Sequence, residues 1–392
     1  MTQAGRDGAT AVTCRGCGAA KAQLVLDLGD IPASDLFPSI DSNPAEDPAW
    51  ALELYLCLEC WLVQLGPSRQ PEPEMPRAVE SATALAHATA SAAAIVLAEG
   101  LRPGQAVIEI DSHHGGSWLA GFTAAGLVEQ PPDGTADLVA DVHGLAHEGD
   151  LAAPLAEHAR RLRPGGKLVL EFHHLLPMIE QGQIDTVRHG HFVYLSLLTM
   201  TQLLDRHGLV ATRAVRVPIF GGSLRLTAAR VADDPVIDPS VAEVRAAERA
   251  GGLEDPDTYR DFGERGSQTA AALRTHLEQA RADGRTVAGY GAPSKAPVLL
   301  ALAGVDESLL PYTADLAPAK HDRRLPGTAI PIVSPDELAE RRPDEVVILT
   351  WDLADEVATQ LRRMSVGGWD PLFWVPLPTP GGLGPTAGAG ES

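Results

Sequence analysis

The chain has 392 residues, of which 45% are hydrophobic and 5% aromatic, and carries a formal net charge of −21. That length holds two or three domains, and no apolar run in it reaches the span of a bilayer. The acidic balance argues against nucleic acid, whose phosphates demand a basic surface, and against anionic membranes.

All four cysteines lie near the start, as Cys14-Arg-Gly-Cys17 and Cys57-Leu-Glu-Cys60. Two such knuckles, about 40 residues apart, are what a tetrahedral zinc ion needs. Four thiolates leave no open coordination position, so a structural Zn2+ on Cys14, Cys17, Cys57 and Cys60 is expected. Nothing after Met1 resembles a signal peptide, which argues against disulfides and for a cytoplasmic location. Residues 11–68 read as a zinc-binding module with β-like runs at Leu24–Leu26 and Leu52–Leu56, and residues 70–77 as a polar, proline-rich linker. Ser81 to Gly100 is Ala-rich and unbroken, which predicts a helix ended by Gly100 and Pro103. A strand at Ala106–Ile110 runs into the turn Asp111-Ser-His-His-Gly-Gly116. Further strands are expected at Asp137–Ala140 and Lys167–Phe172, the latter after a turn at Arg163–Gly166. Strands alternating with helices predict an α/β fold with a doubly wound parallel sheet, whose ligands bind beyond the carboxyl ends of the strands. This domain is assigned to residues 78–235. Helical charge patterning fills 240–284, and a second strand–glycine–helix unit begins at Thr286 and continues through Leu310–Asp315 and Glu345–Leu349. A second Rossmann-like domain over 240–377 and a disordered tail over 378–392 complete the organisation.

With these segments in order, the chain resembles the three-domain sugar C-methyltransferases that act on nucleotide-linked 4-ketosugars in natural-product pathways. The resemblance rests on the knuckles, Val107–Ile110 before its glycine turn, Leu145-Ala-His147, Asp185-Thr-Val-Arg-His-Gly-His191, Tyr194-Leu-Ser196 and Gly221-Gly-Ser-Leu-Arg225. In the last domain it rests on Gly289-Tyr-Gly-Ala-Pro-Ser-Lys295, Asp315 with Lys320, and Leu325-Pro-Gly-Thr328 before Ile330–Ile332. It implies a middle domain that binds S-adenosylmethionine (SAM), with Gly115 in its glycine turn, and a last domain that helps to hold the nucleotide-sugar. It also implies that a histidine in the family's Tyr-His-Glu-His segment takes the proton beside the ketone, since a ketone acidifies its neighbouring carbon.

The chain departs from that pattern where the chemistry lies. Only residues 116–135 separate the glycine turn from the next strand, room for one helix and a loop. A ribose-binding acid belongs roughly 20 residues past such a turn, where Glu129 and Asp133 flank Pro131-Pro132. Tyr-His-Glu-His has become Arg188-His189-Gly190-His191, so that His191 survives as the expected base, with His147, His189 and Arg188 as its catalytic neighbours. In compensation, His113, His114, His143, His147, His173 and His174 fall at or just past inferred strand ends, with His191 nearby. Imidazoles with Asp111, Asp141 or Glu171 are a ligand set for a second divalent metal such as Fe, Ni, Mn or Zn, with His113, His114, His143, His173 and His174 as its candidates. Three functions follow: a repurposed enzyme that enolises, isomerises or oxidises a nucleotide-sugar or other keto substrate; a SAM-dependent C-methyltransferase; and a non-catalytic homologue. Ser223, Arg225, Tyr290, Lys295 and Lys320 are the candidate substrate or cofactor contacts, with Lys295 opposite a phosphate.

Overall fold

The computed structural model describes residues 12–67, 80–110, 116–364 and 368–383. Three sheets organise them. The first begins with β1 (Ala22–Pro32), β2 (Ala49–Cys57) and β3 (Val63–Leu65), paired antiparallel. Alternation in β2 sends Leu52, Leu54 and Leu56 to one buried face.

The second domain opens with α1 (Ala82–Ala98), capped by Ser81 and ended at Gly100, whose φ of +62° suits a residue without Cβ. Next come β4 (Ala106–Ile110), α2 (Leu119–Ala124), β5 (Val128–Glu129), β6 (Ala136–Val142), α3 (Ala152–Arg161), β7 (Leu162–His173) and α4 (Leu175–Glu180). The chain continues through β8 (Val193–Tyr194), α5 (Leu197–Asp205), β9 (Leu209–Val217) and β10 (Ser223–Arg230). Sheet order is β5-β4-β6-β7-β10-β9, parallel from β5 to β7 and antiparallel beyond.

Three expectations need correction here. The interval 116–135 holds a two-residue strand, β5, as well as a helix and a loop. Arg163–Gly166 is a bulge inside β7, because Leu162 already pairs with Ala136 before the register resumes at Lys167. The zinc module's sheet also does not end at residue 68, since β8 of the next domain pairs with β3 as its fourth strand.

The last domain begins with α6 (Pro239–Ala250) and α7 (Pro256–Ala282), each started by an Asp cap and a first-turn Pro. Gly263 and Gly266 sit inside α7 because Leu26 of β1 and Ile184 approach where a Cβ would stand, at 2.6 and 2.5 Å. The sheet follows: β11 (Val287–Tyr290), α8 (Ala296–Ala303), β12 (Thr313–Ala314), β13 (Arg323–Arg324), β14 (Pro331–Val333), α9 (Pro335–Arg341), β15 (Glu345–Ile348), α10 (Ala354–Met364), β16 (Leu372–Val375) and β17 (Gly381–Gly382). Its order is β13-β14-β12-β11-β15-β16-β17, with a parallel centre and antiparallel edges. The start of the expected tail is therefore ordered, as β17 pairs with β16, while 384–392 lie outside the described residues. No helix among the described residues is long and apolar enough to cross a membrane.

Candidate functional site

The two knuckles meet as expected. Cys14 Sγ lies 3.6 Å from Cys60 Sγ, and Cys17 Sγ lies 3.6 Å from Cys57 Sγ. The four sulfurs fall within 4.8 Å of one another. A tetrahedron with Zn–S bonds of about 2.3 Å has edges of about 3.8 Å, so the set fits zinc. It is too open for disulfides, whose sulfurs stand about 2.05 Å apart. A hydrogen bond with Cys60 holds the Cys14 thiol down at about 5, whereas burial pushes Cys57 up to about 11, so an incoming ion displaces protons from the buried sulfurs.

The crevice beyond the central strands is built by register. Val142 pairs with Glu171, so His143 and His173 follow their strands at neighbouring positions, and the His143 N–H donates to the Glu171 carbonyl at 2.7 Å. The His143 and His173 ring centroids are 4.9 Å apart. His173 stands 5.6 Å from His191, and His191 stands 4.9 Å from His147. Four imidazoles from three segments thus form one continuous array. Phe220 closes it, edge-on to His143 at 5.4 Å. His143 and Phe220 both hold left-handed backbones, at φ of +60° and +53°, which bulky residues rarely adopt.

Charge around the array is unequal. The Arg188 guanidinium donates to Asp35 Oδ2 at 3.1 Å and to His191 Nε2 at 2.7 Å. Arginine has no acceptor and stays protonated, so His191 accepts at Nε2 and carries its proton on Nδ1. While that bond lasts, neither ring nitrogen of His191 has a free lone pair. Burial, with His143, Lys295, Arg188 and His147 adding positive potential, holds His173 well below its ordinary value. A neutral imidazole therefore lines the crevice at His173. From the last domain Lys295 approaches with its ammonium 4.2 Å from the Trp351 ring and paired to Asp352. Asp185 accepts the Trp351 indole N–H at 2.7 Å, and burial pushes its carboxyl up to about 6 against the pull of Lys295.

One wall is braced by Glu171. It accepts from His87 Nε2 at 2.6 Å and from Arg225 Nε at 2.9 Å, with His143 Nε2 at 3.7 Å. Burial alone would raise this carboxyl, but the two imidazoles and the guanidinium outweigh it and hold it well below the usual carboxylate range. The Arg225 guanidinium also lies 5.1 Å from the ring of the fully buried Trp118.

Several expected contacts are engaged elsewhere. His174 faces away, donating to Glu248 at 2.8 Å, and Glu248 caps α5 through the N–H groups of Leu197 and Leu198, both at 2.7 Å. Asp141 turns toward α3, accepting from His158 at 2.7 Å. Ser223 donates to the Ile219 carbonyl at 3.2 Å, and Arg225 donates to Glu171. Tyr290 belongs to the core of the last domain. Lys320 is nearly buried and donates to the Ala292 carbonyl at 2.8 Å. His189 is buried against Trp50, with ring centroids 6.1 Å apart, and burial holds its imidazole below its ordinary value. Asp111, His113, His114 and Gly115 lie outside the described residues. Among those described, the four cysteines are the group of three or more potential ligands whose donor atoms converge, and the histidines form no such second group. Sequence reasoning missed His87, Asp35 and Trp351, each a lone residue in an unremarkable segment with no spacing signal.

The shortened half of the middle sheet is visible directly. Glu129 pairs with Val107, so β5 stops three residues, or about 10 Å, short of the end of β4 at Ile110. Glu129 is exposed at that level of the sheet.

A family model described as "C-methyltransferase C-terminal domain" matches residues 218–378, and one described as "Putative zinc binding domain" matches 14–73. The chain is 30% identical over 403 aligned residues to C-methyltransferase NovU of Streptomyces niveus, covering 94% of this chain and 96% of the relative. Among solved structures, magnesium protoporphyrin IX methyltransferase of Synechocystis aligns over 38% of this chain and 84% of its own, at 17% identity and a TM-score of 0.27. A Burkholderia thailandensis 1,6-didemethyltoxoflavin-N1-methyltransferase aligns over 43% and 95%, at 16% identity and a TM-score of 0.29.

Proposed function

We propose that this chain, which belongs to the family of three-domain C-methyltransferases, is an enzyme that moves protons beside a ketone in place of transferring a methyl group. The observation that carries this reading is the array His143–His173–His191–His147, flanked by the cations Arg188 and Lys295. The substrate class is a keto compound with anionic groups, such as a nucleotide-linked ketosugar.

His173, neutral through burial, takes the proton from the carbon next to the carbonyl. The electron pair left behind moves onto the carbonyl oxygen, where Arg188 and Lys295 favour the developing negative charge. His191 donates from Nδ1 toward that oxygen, and His147 beside it holds the substrate. Return of the proton to the other carbon or the other face gives an isomer or epimer, with no oxidant consumed. A base of low pKa is ready at neutral pH, so activity falls only on acidification.

The short β5 supports the loss of methyl transfer, since among the described residues its acid, Glu129, sits level with Val107, three residues short of the end of β4. A second divalent metal is not required: among the described residues the histidine nitrogens do not converge as the cysteine sulfurs do. Identity to a named C-methyltransferase over 94% of the chain favours a second reading, SAM-dependent C-methylation with the cofactor held by the glycine turn.

Exchange in heavy water separates the two. A nucleotide-linked 4-ketosugar should gain deuterium beside its ketone without SAM, and His173→Ala should slow this by roughly 100-fold or more. A product carrying an added methyl group, formed only with SAM, would install the second reading. Elemental analysis should find one zinc per chain, and a second equivalent lost on replacing His143 and His173 would restore a metal site.

A further inference from the structure

We propose that Arg15, the residue inside the first zinc knuckle, is a positioning residue that sets His147 against His191, so that the zinc cluster tunes the crevice from behind. The inference rests on the proposed role of that crevice, but its observations are separate from it.

Between Cys14 and Cys17, Arg15 uses both its backbone and its side chain. Its N–H donates to Gln64 Oε1 at 2.7 Å, and its carbonyl accepts from Leu151 at 2.9 Å. Its guanidinium donates to the Gly149 carbonyl at 3.0 Å and lies 5.1 Å from the centroid of the Phe192 ring. Gly149 and Leu151 closely follow the turn that carries His147, and Phe192 directly follows His191.

The two catalytic segments are themselves tied together at this point. The Phe192 N–H donates to the Ala146 carbonyl at 2.7 Å, and the Phe192 carbonyl accepts from Leu65 of β3 at 2.9 Å. Each of these bonds is one residue from an imidazole of the His147–His191 pair, whose rings stand 4.9 Å apart. Arg15 therefore clamps one backbone bridge from the zinc side. The partly buried cation is held over an aromatic face, where such contacts gain strength from exclusion of water. A second tie from the same module, Asp35 to Arg188 at 3.1 Å, fixes the guanidinium that sets the His191 proton on Nδ1. Sequence position ties this to the zinc module, because Arg15 lies between Cys14 and Cys17 and shares their turn.

The test is histidine-selective 15N NMR on the full, zinc-loaded chain, which reads the imidazole tautomer without reference to turnover. Arg15→Ala should retain one zinc per chain but shift the ring-nitrogen signals of His147 and His191, while His191 keeps the Nδ1–H tautomer that Arg188 sets. Its kcat for proton exchange should fall about 10- to 100-fold with little change in KM, as expected for misplaced groups rather than lost binding. Arg15→Lys, which keeps a cation near Phe192 but not the fork, should restore part of both. Ring signals of His147 and His191 that coincide with those of the unaltered protein would overturn the proposal. If Arg15→Ala sheds zinc, Gln64→Ala carries the same readout, because it releases the Arg15 N–H and leaves every cysteine and the guanidinium in place. A failed enolisation assay with shifted ring signals would sink the proposed reaction alone, and the converse would sink only the clamp.

Discussion

The two parallel sheets solve one problem in opposite ways. In the last domain β12 keeps level with β11, pairing Ala314 with Tyr290, so Asp315 emerges beside the glycine turn. Its carboxylate accepts from Ala292 at 2.7 Å and from Ala317 at 2.8 Å, with Lys320 at 3.5 Å. In the middle domain the corresponding strand, β5, ends beside Val107, and its acid Glu129 is left in solvent. Two other carboxylates are engaged nearby: Glu109 of β4 accepts from Ser117 and from the Trp118 N–H, and Glu171, on the far side of β6, is gripped by His87 and Arg225. Whether a strand-end acid can serve the turn is thus decided by where the neighbouring strand stops, a difference of three residues.

Substitutions can break that contrast, the largest effect first. Glu171→Ala leaves Arg225, His87 and His143 buried around a missing partner. It should cost roughly 3–5 kcal/mol in urea denaturation, and a loss below about 1 kcal/mol would mean that the shortened sheet is held otherwise. Asp185→Asn tests the seam between the two domains. Its carboxyl is raised from an ordinary 3.8 to about 6, so below pH 4 folded and unfolded chains both hold the proton. Between pH 4 and 6 only the folded chain holds it, so stability falls as pH rises. The loss runs at about 1.4 kcal/mol per pH unit across that window and levels off near ~3 kcal/mol above pH 6. The Asn variant should lack that slope, and identical pH–stability curves would show that Asp185 has no part in holding the seam. Asp315→Asn keeps one acceptor and loses the other, so a drop of about 1–2 kcal/mol in thermal unfolding is expected. Glu129→Ala should change stability by less than about 0.5 kcal/mol, and any larger loss would show that β5 ends in a working acid after all.

Much of this was legible in the sequence, for reasons that differ by region. The knuckles are legible because metal geometry fixes both residue type and local spacing. The strands at Ala106–Ile110 and Glu345–Leu349 are legible because buried parallel strands need continuous apolar runs. The meeting of His143 and His147 with His173 follows from one topological rule, that parallel strands deliver their carboxyl ends to a shared edge, whereas His191 arrives from the segment before β8 in the other sheet. What the sequence could not reveal is direction. His173 and His174 are adjacent on an extended chain, so one enters the crevice and the other turns to Glu248, and only the partner decides which. The same holds for Asp141, drawn to His158, and for Arg225, drawn to Glu171. The pairing of β8 with β3 was hidden because a two-residue strand has no periodicity to read.

That last pairing bears on how the molecule is made. Strand β3 leaves the ribosome long before Val193 and Tyr194 exist, so the nascent zinc module must wait with one edge unpaired. An open edge is where a growing chain can pair with the wrong neighbour. Early capture of the metal by Cys57 and Cys60, which flank the turn into β3, would keep that edge in register until its late partner is synthesised.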